Sequence, residues 1–301
     1  MERYMVKLGC KRNLIGSAVL SVGGPELYGV LKMAVSYHVH SRWSDGKNTI
    51  PELIAAARDI GLDELGLSDH YCLTPDRKQM HWCMPIDKLD DYVADVQESA
   101  GEAGEDVLIR LGLEVDFVPE TLGEMKEILA SQPFDYVIGS VHLVDGFLID
   151  DTPELWDPLS QDDRNEVIRT YWIRVRQMAE CGLFDFAGHL DLWKKFNIYP
   201  TIDLSEEISA ALDAIAAVKL PIELNTSGWF KPCAEQYPSK EILQGCFDRK
   251  IPMVVSADAH FTEHLTRAFD RAYRILREVG YTELSSFGGR MRYPYPMPEV
   301  E

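Results

Sequence analysis

Short apolar runs alternate along this chain with longer segments of helical spacing. Met33–Tyr37 is a β-prone run ending at His38. Ile50–Ile60 reads as a helix: Thr49 suits the N-cap, Pro51 the first turn and Gly61 the stop. Leu65–Ser68 predicts a strand that leads into Asp69-His70. Pro85–Ala103 carries helical spacing through Leu89, Tyr92, Val93 and Val96. Val107–Leu113 predicts a strand ending at Glu114, Leu122–Ala130 a helix, and Tyr136–Ile138 a strand running into Ser140-Val141-His142. The second half repeats the scheme. Helices are predicted over Asp163–Cys181, Leu204–Val218, Ser239–Arg249 and Glu263–Val279. Between them fall strands at Phe184–Ala187, before Gly188-His189; at Pro221–Leu224, ending at Asn225; and at Pro252–Ser256, before Asp258 and His260.

These strands are short, apolar and not alternating, the pattern of parallel strands buried on both faces. About seven strand–helix units predict a closed α/β barrel, which fits in one domain of this length. No linker rich in Pro, Gly or Ser marks a domain boundary. The longest irregular stretches, Tyr71–Pro85 and Leu143–Ser160, follow candidate ligands at strand ends, which suits lid or substrate-binding loops. Residues 1–32 are expected to be an N-terminal extension, with Met33 as the native start and the barrel over 33–301. A secretory leader fits poorly, because Gly16, Gly23 and Gly24 break the apolar stretch Leu14–Gly24.

Composition narrows the function classes. The formal charge is −19, and an acidic surface repels nucleic acid. The six cysteines, at 10, 72, 83, 181, 233 and 246, include no C-x-x-C pair and suit reduced thiols in a cytoplasmic protein. No apolar run approaches the ~20 residues needed to span a bilayer. Neither nucleic acid nor a membrane is an expected partner.

Position carries the chemistry. Catalytic groups of α/β barrels gather at the C-terminal ends of the strands. Here those ends offer His38, His40, His70, Glu114, His142, His189, Asp258 and His260, with Asp45 in the loop after the first strand. Residues two apart at a strand end point to one face, so His38 and His40 can reach one cation, as can Asp258 and His260. Nine such residues exceed one tetrahedral site and suit two or three ions of zinc, iron or manganese. Each residue alone has an ordinary structural use; their convergence on one rim does not. His81 and His264 fall outside the pattern: His264 suits a solvated helix position, and His81, beside Trp82, either lines the pocket or lies on the surface.

The motifs His38-Val39-His40-Ser41, Ser44-Asp45-Gly46, Ser68-Asp69-His70, Gly112-Leu113-Glu114, Gly139-Ser140-Val141-His142, Gly188-His189 and Ser256-Ala257-Asp258-Ala259-His260 resemble those of the PHP (polymerase and histidinol phosphatase) superfamily. The segments 111–119, 134–142, 188–196 and 223–231, with Tyr237-Pro238, resemble histidinol-phosphate phosphatases in particular. The resemblance implies a distorted (β/α)7 TIM-like barrel and a trinuclear site. It would give one ion to His38, His40, Glu114 and Asp258, a second to Glu114, His142 and His189, and a third to Asp45, His70 and His260. The activity implied is hydrolysis of a small phosphorylated substrate, L-histidinol phosphate, in histidine biosynthesis, by a phosphoric monoester hydrolase with Glu114, His142, Asp258 and His260 as catalytic residues. The stretch Arg42-Trp43-Ser44-Asp45-Gly46 departs from the Cys- and His-bearing segment of many histidinol phosphatases.

Arg169 and Lys195 are candidate phosphate contacts, with ordinary surface charge as the alternative. Asn225 either binds substrate or bonds to backbone. Rival readings are a phosphoesterase of nucleotides or another small ester, an amidohydrolase, and a non-catalytic interaction domain. The amidohydrolase class usually bridges its metals with a lysine, where this chain offers Glu114.

Overall fold

Seven parallel strands form a barrel wall: β1 (Val35–Ser36), β2 (Glu64–Leu67), β3 (Leu108–Asp116), β4 (Tyr136–Ser140), β5 (Phe186–Ala187), β6 (Ile222–Asn225) and β7 (Met253–Ser256). Each hydrogen-bonds to the next in sequence. A parallel bridge between Val39 and Ala259 brings β7 back to β1, through His40 N→Ala259 O and Ala259 N→His38 O, both 2.9 Å. The computed structural model describes residues 34–104 and 106–299, which belong to one compact unit. The expectations for residues 1–32 lie outside them.

Helices α1 (Ile50–Ile60), α2 (Leu89–Ala103), α3 (Leu122–Ser131), α4 (Gln161–Cys181), α5 (Ser205–Val218), α6 (Lys240–Asp248) and α7 (Phe269–Val279) follow the strands in turn. Helix α1 has the bounds and caps its sequence predicts. Thr49 and Glu52 form a reciprocal capping box, and Gly61 ends the helix at φ 81°. Its buried face is Ile50, Leu53, Ile54 and Ala57. Helix α4 begins two residues before its predicted start, because Ser160 and Asp163 make a second capping box.

The predicted closing helix Glu263–Val279 is two pieces. A 3₁₀ turn over Thr262–His264 precedes α7, and Ala268 between them has φ 63°. Side chains from elsewhere on the barrel capture the intervening carbonyls: Ser36 Oγ, on β1, donates to Leu265 O at 2.9 Å and Thr226 Oγ1, just after β6, to Arg267 O at 2.7 Å. Tertiary bonds thus replace helical ones in a stretch without Gly or Pro.

The interior is divided along its axis. Val35, Tyr37, Tyr136, Ile138, Phe186, Val254 and Phe287 make an apolar cluster in the N-terminal half of the strands. Phe287 belongs to an antiparallel hairpin, β8 (Glu283–Gly288) and β9 (Met291–Pro296), to which the hydrophobic pattern assigned no element. No described helix is long and apolar enough to cross a membrane.

Candidate metal centre

The bridge between Val39 and Ala259 explains the spacing of two in both ligand pairs. Val39 and Ala259 are fully buried in the apolar core. Their neighbours therefore point the other way, so His38, His40, Asp258 and His260 meet inside the barrel mouth. Asp258 has φ 51°, a conformation that carboxamide and carboxylate residues tolerate better than most.

Glu114, from β3, lies at the centre. Its Oε2 is 3.0 Å from His38 Nε2, 3.5 Å from His40 Nε2 and 2.8 Å from His70 Nδ1. Its Oε1 is 3.0 Å from His189 Nε2, 3.7 Å from His142 Nε2 and 2.6 Å from Ser140 Oγ. Asp258 Oδ1 lies 3.3 Å from His40 Nε2 and 3.8 Å from His38 Nε2. Asp45 Oδ1 is 3.1 Å from His260 Nε2 and 3.8 Å from His70 Nε2. All nine predicted donors thus converge. Glu114 faces two sub-clusters, His38/His40/Asp258 and His142/His189, and His70 links it to Asp45 and His260.

The donor set fits divalent cations. His38 Nε2, both ring nitrogens of His40, Asp45 Oδ1, His70 Nδ1 and Glu114 Oε2 are buried beside one another without a well-formed hydrogen bond. Unsatisfied buried groups are costly unless something compensates them, and imidazole with carboxylate is the ligand chemistry of zinc, iron and manganese.

Electrostatics bind the cluster together. Burial opposes ionisation of Glu114, but His38, His70 and His189 hold its carboxyl well below the usual range. Asp258 is likewise lowered against burial, by His38, His40 and His260. Burial also opposes a proton on His142, yet Asp116 and Asp150 push it up to about 10. His40 goes the other way: burial, then His70 and His260, pull it down to about 3.

A second layer fixes the imidazoles. Glu223 Oε1 lies 2.7 Å from His38 Nδ1, and its Oε2 accepts the His189 amide at 2.8 Å. Asp116 Oδ1 is 2.9 Å from His142 Nδ1 and accepts the His142 amide at 3.1 Å. Both carboxylates leave Nε2 of their histidine facing the cluster. Neither stood among the candidates, although each sits two residues from one on the same strand: Asp116 after Glu114, Glu223 before Asn225. Asp69 is a third positioning group. It accepts from the backbone and hydroxyls of Ser41 and Ser44 at 2.6–3.0 Å and so shapes the loop that carries Asp45. That loop folds so close that a Cβ on Gly46 would lie 2.2 Å from His40 O.

Beside the cluster lies a cavity of about 420 Å³. Lys195 lines it, donating to Asp150 Oδ2 at 3.0 Å and Asp150 O at 2.6 Å. Arg169 does not: it sits on α4 between Glu166 and Glu207. Asn225 is fully buried, with Oδ1 accepting from Ser227 N and Oγ and Nδ2 donating to Glu223, which is a scaffold role. The two long loops contribute His81 and Trp82, and Asp150 and Asp151, to the lining. His264, expected in a solvated helix position, lines it too and accepts from Arg267 Nη1 at 3.0 Å.

Comparison with known proteins agrees with this geometry. A protein of Deinococcus radiodurans named "Probable histidinol-phosphatase" is 35% identical over 81% of this chain and 92% of its own length. The histidinol-phosphatase of Bacillus subtilis is 27% identical over 74% of this chain and 92% of its own. The histidinol phosphate phosphatase of Lactococcus lactis, solved with zinc, L-histidinol and phosphate, shares the fold, with TM-score 0.73 and 22% identity over 87% of this chain and 100% of that one. The PHP domain model matches residues 36–227, which include His38, His40, Asp45, His70, Glu114, His142 and His189. With its barrel, its ring of donors and these relatives in agreement, the chain belongs to the PHP domain family.

Proposed function

We propose that this chain is a metal-dependent phosphomonoesterase that hydrolyses L-histidinol phosphate to L-histidinol and phosphate, a step of histidine biosynthesis. The observation that carries the reading is the set of nine donors, eight of them gathered around Glu114, open to a cavity that holds both cations and carboxylates. The relatives named for this activity support the choice of ester. The unpaired thiols of Cys72, Cys83, Cys181, Cys233 and Cys246 suit a reducing cytoplasm.

His38, His40, Glu114 and Asp258 would hold one ion, Glu114, His142 and His189 a second, and Asp45, His70 and His260 a third. Bound divalent ions supply neutralisation of phosphate oxygens and acidification of water. The protein's own groups do the rest. Glu223, Asp116 and Asp69 hold the donors in place, so little reorganisation is needed when substrate arrives. Asp258 and His260 keep side chains 18% and 27% exposed toward the cavity, which puts them within reach of substrate for proton exchange. Asp258 Oδ2 rests near Ser227 Oγ (3.4 Å) and Asn225 Nδ2 (3.5 Å), which fixes that carboxylate at the cavity floor.

The deciding experiment measures phosphate release from L-histidinol phosphate against nucleoside monophosphates and other monoesters, with metal content determined on the same sample. Preference for L-histidinol phosphate is expected. Faster release from a nucleotide would overturn the substrate assignment.

A further inference from the structure

A phosphate ester of an amino alcohol is anionic at one end and cationic at the other, and the cavity is polarised to match. Its walls come from different sectors of the rim. Arg267 and His264 follow β7, Lys231 and Phe230 follow β6, and Lys47 follows β1. These three strands are consecutive around the barrel, since β7 returns to β1. Asp150 and Asp151 follow β4, which is separated from β7 by β5 and β6 on one side and by β1, β2 and β3 on the other. Apart from the metal donors Asp45 and Asp258, the carboxylates of the lining are thus Asp150 and Asp151, which stand with Lys195 across the mouth from Arg267, Lys231 and Lys47.

Within the basic sector, Arg267 is set apart. It is half-buried, its guanidinium lies 3.9 Å from the centre of the Phe230 ring, and Thr226 holds its backbone. Its Nε is buried and without a partner, and no described carboxylate forms an ion pair with it, in a chain of net charge −19. Lys47, by contrast, donates to Asp45 O at 2.8 Å. A stacked guanidinium with unused N–H groups is suited to forked binding of phosphate oxygens. Across the mouth, Lys195 already neutralises Asp150. Among the described residues, the one ion-pair partner of Asp151 is the exposed His81, at 3.6 Å.

We propose that Arg267 binds the phosphate and Asp151 the ammonium-bearing end of the substrate, so that the cavity selects zwitterionic phosphomonoesters of amino alcohols and sets their direction. This assignment rests on the phosphatase reading of the site.

The test is calorimetric titration of the zinc-loaded protein with inorganic phosphate and, separately, with L-histidinol. It compares wild type, Arg267→Met, Arg267→Lys and Asp151→Asn, each checked for zinc content and circular dichroism. Arg267→Met should weaken phosphate about tenfold or more and leave L-histidinol within about twofold, while Arg267→Lys, which keeps the charge, should lose less. Asp151→Asn should do the reverse, weakening L-histidinol alone. Unchanged phosphate affinity in a zinc-loaded Arg267→Met protein would overturn the proposal, as would equal weakening of both ligands by each substitution. The phosphatase reading fails by a separate result, no phosphate release from L-histidinol phosphate by wild type, and the phosphate titration still decides Arg267.

Discussion

Glu223 joins two histidines from different strands: its Oε1 lies 2.7 Å from His38 Nδ1 while its Oε2 accepts the amide of His189 at 2.8 Å. One fully buried carboxylate thus orients donors that lie more than a hundred residues apart in sequence. Replacing it by glutamine keeps the shape but turns an amide NH₂ toward groups that donate. Glu223→Gln is expected to weaken zinc binding by about 10- to 100-fold. Competition against a chromophoric chelator measures this, and unchanged affinity would reduce Glu223 to a packing residue.

His142→Ala removes one donor beside Glu114 and leaves the barrel wall intact. Turnover of L-histidinol phosphate should fall by about 100-fold or more, with the circular dichroism spectrum preserved. Near-normal turnover in a folded, metal-loaded mutant would count decisively against this site.

Protons and metal ions compete for the same nitrogens. Against burial, Asp116 and Asp150 raise His142 to about 10, and Glu114, Glu223 and Asp258 raise His38 well above its usual value. A raised imidazole keeps its proton through neutral pH, and a cation must displace it. Apparent zinc affinity should therefore rise by about tenfold or more from pH 6 to pH 7. Chelator competition at the two pH values tests the sign; affinity that falls with pH contradicts it.

Metal removal should also loosen the fold. Ions bound only by the native protein stabilise it by mass action, by about 2.7 kcal/mol at a hundred times Kd. Excess chelator is expected to lower the melting temperature by several degrees. A melting curve that ignores chelator and added zinc would show that the ions contribute nothing to stability.

Arg169 provides the contrast. It is engaged by Glu166 and Glu207 away from the cavity. Arg169→Ala should leave turnover within about twofold, because surface substitutions away from special features change little. A large loss in kcat/KM would bring α4 back into the site.

The donors were legible because metal ligands are placed by strand ends, and strand ends are marked by short apolar runs. Glu114 and the His38/His40 pair needed only that rule. Asp116 and Glu223 needed one more step, the same-face spacing of two within β3 and β6. Arg267 was hidden, since its place depends on the break at Ala268, and that break is made by hydroxyls of Ser36 on β1 and Thr226 just after β6. The β8–β9 hairpin escaped for a local reason. Pro294 and Pro296 argue against a strand, but β9 pairs only with β8, and proline is tolerated on an edge.

The bridge between Val39 and Ala259 closes the barrel with residues from near its two ends in sequence. The ribosome releases His38 and His40 early, Asp258 and His260 only when β7 is made. A growing chain therefore holds an incomplete set of donors until its final strand docks. The order of synthesis leaves the donor set incomplete until the chain has been made through His260, so a centre with all its donors engaged can form only after that point.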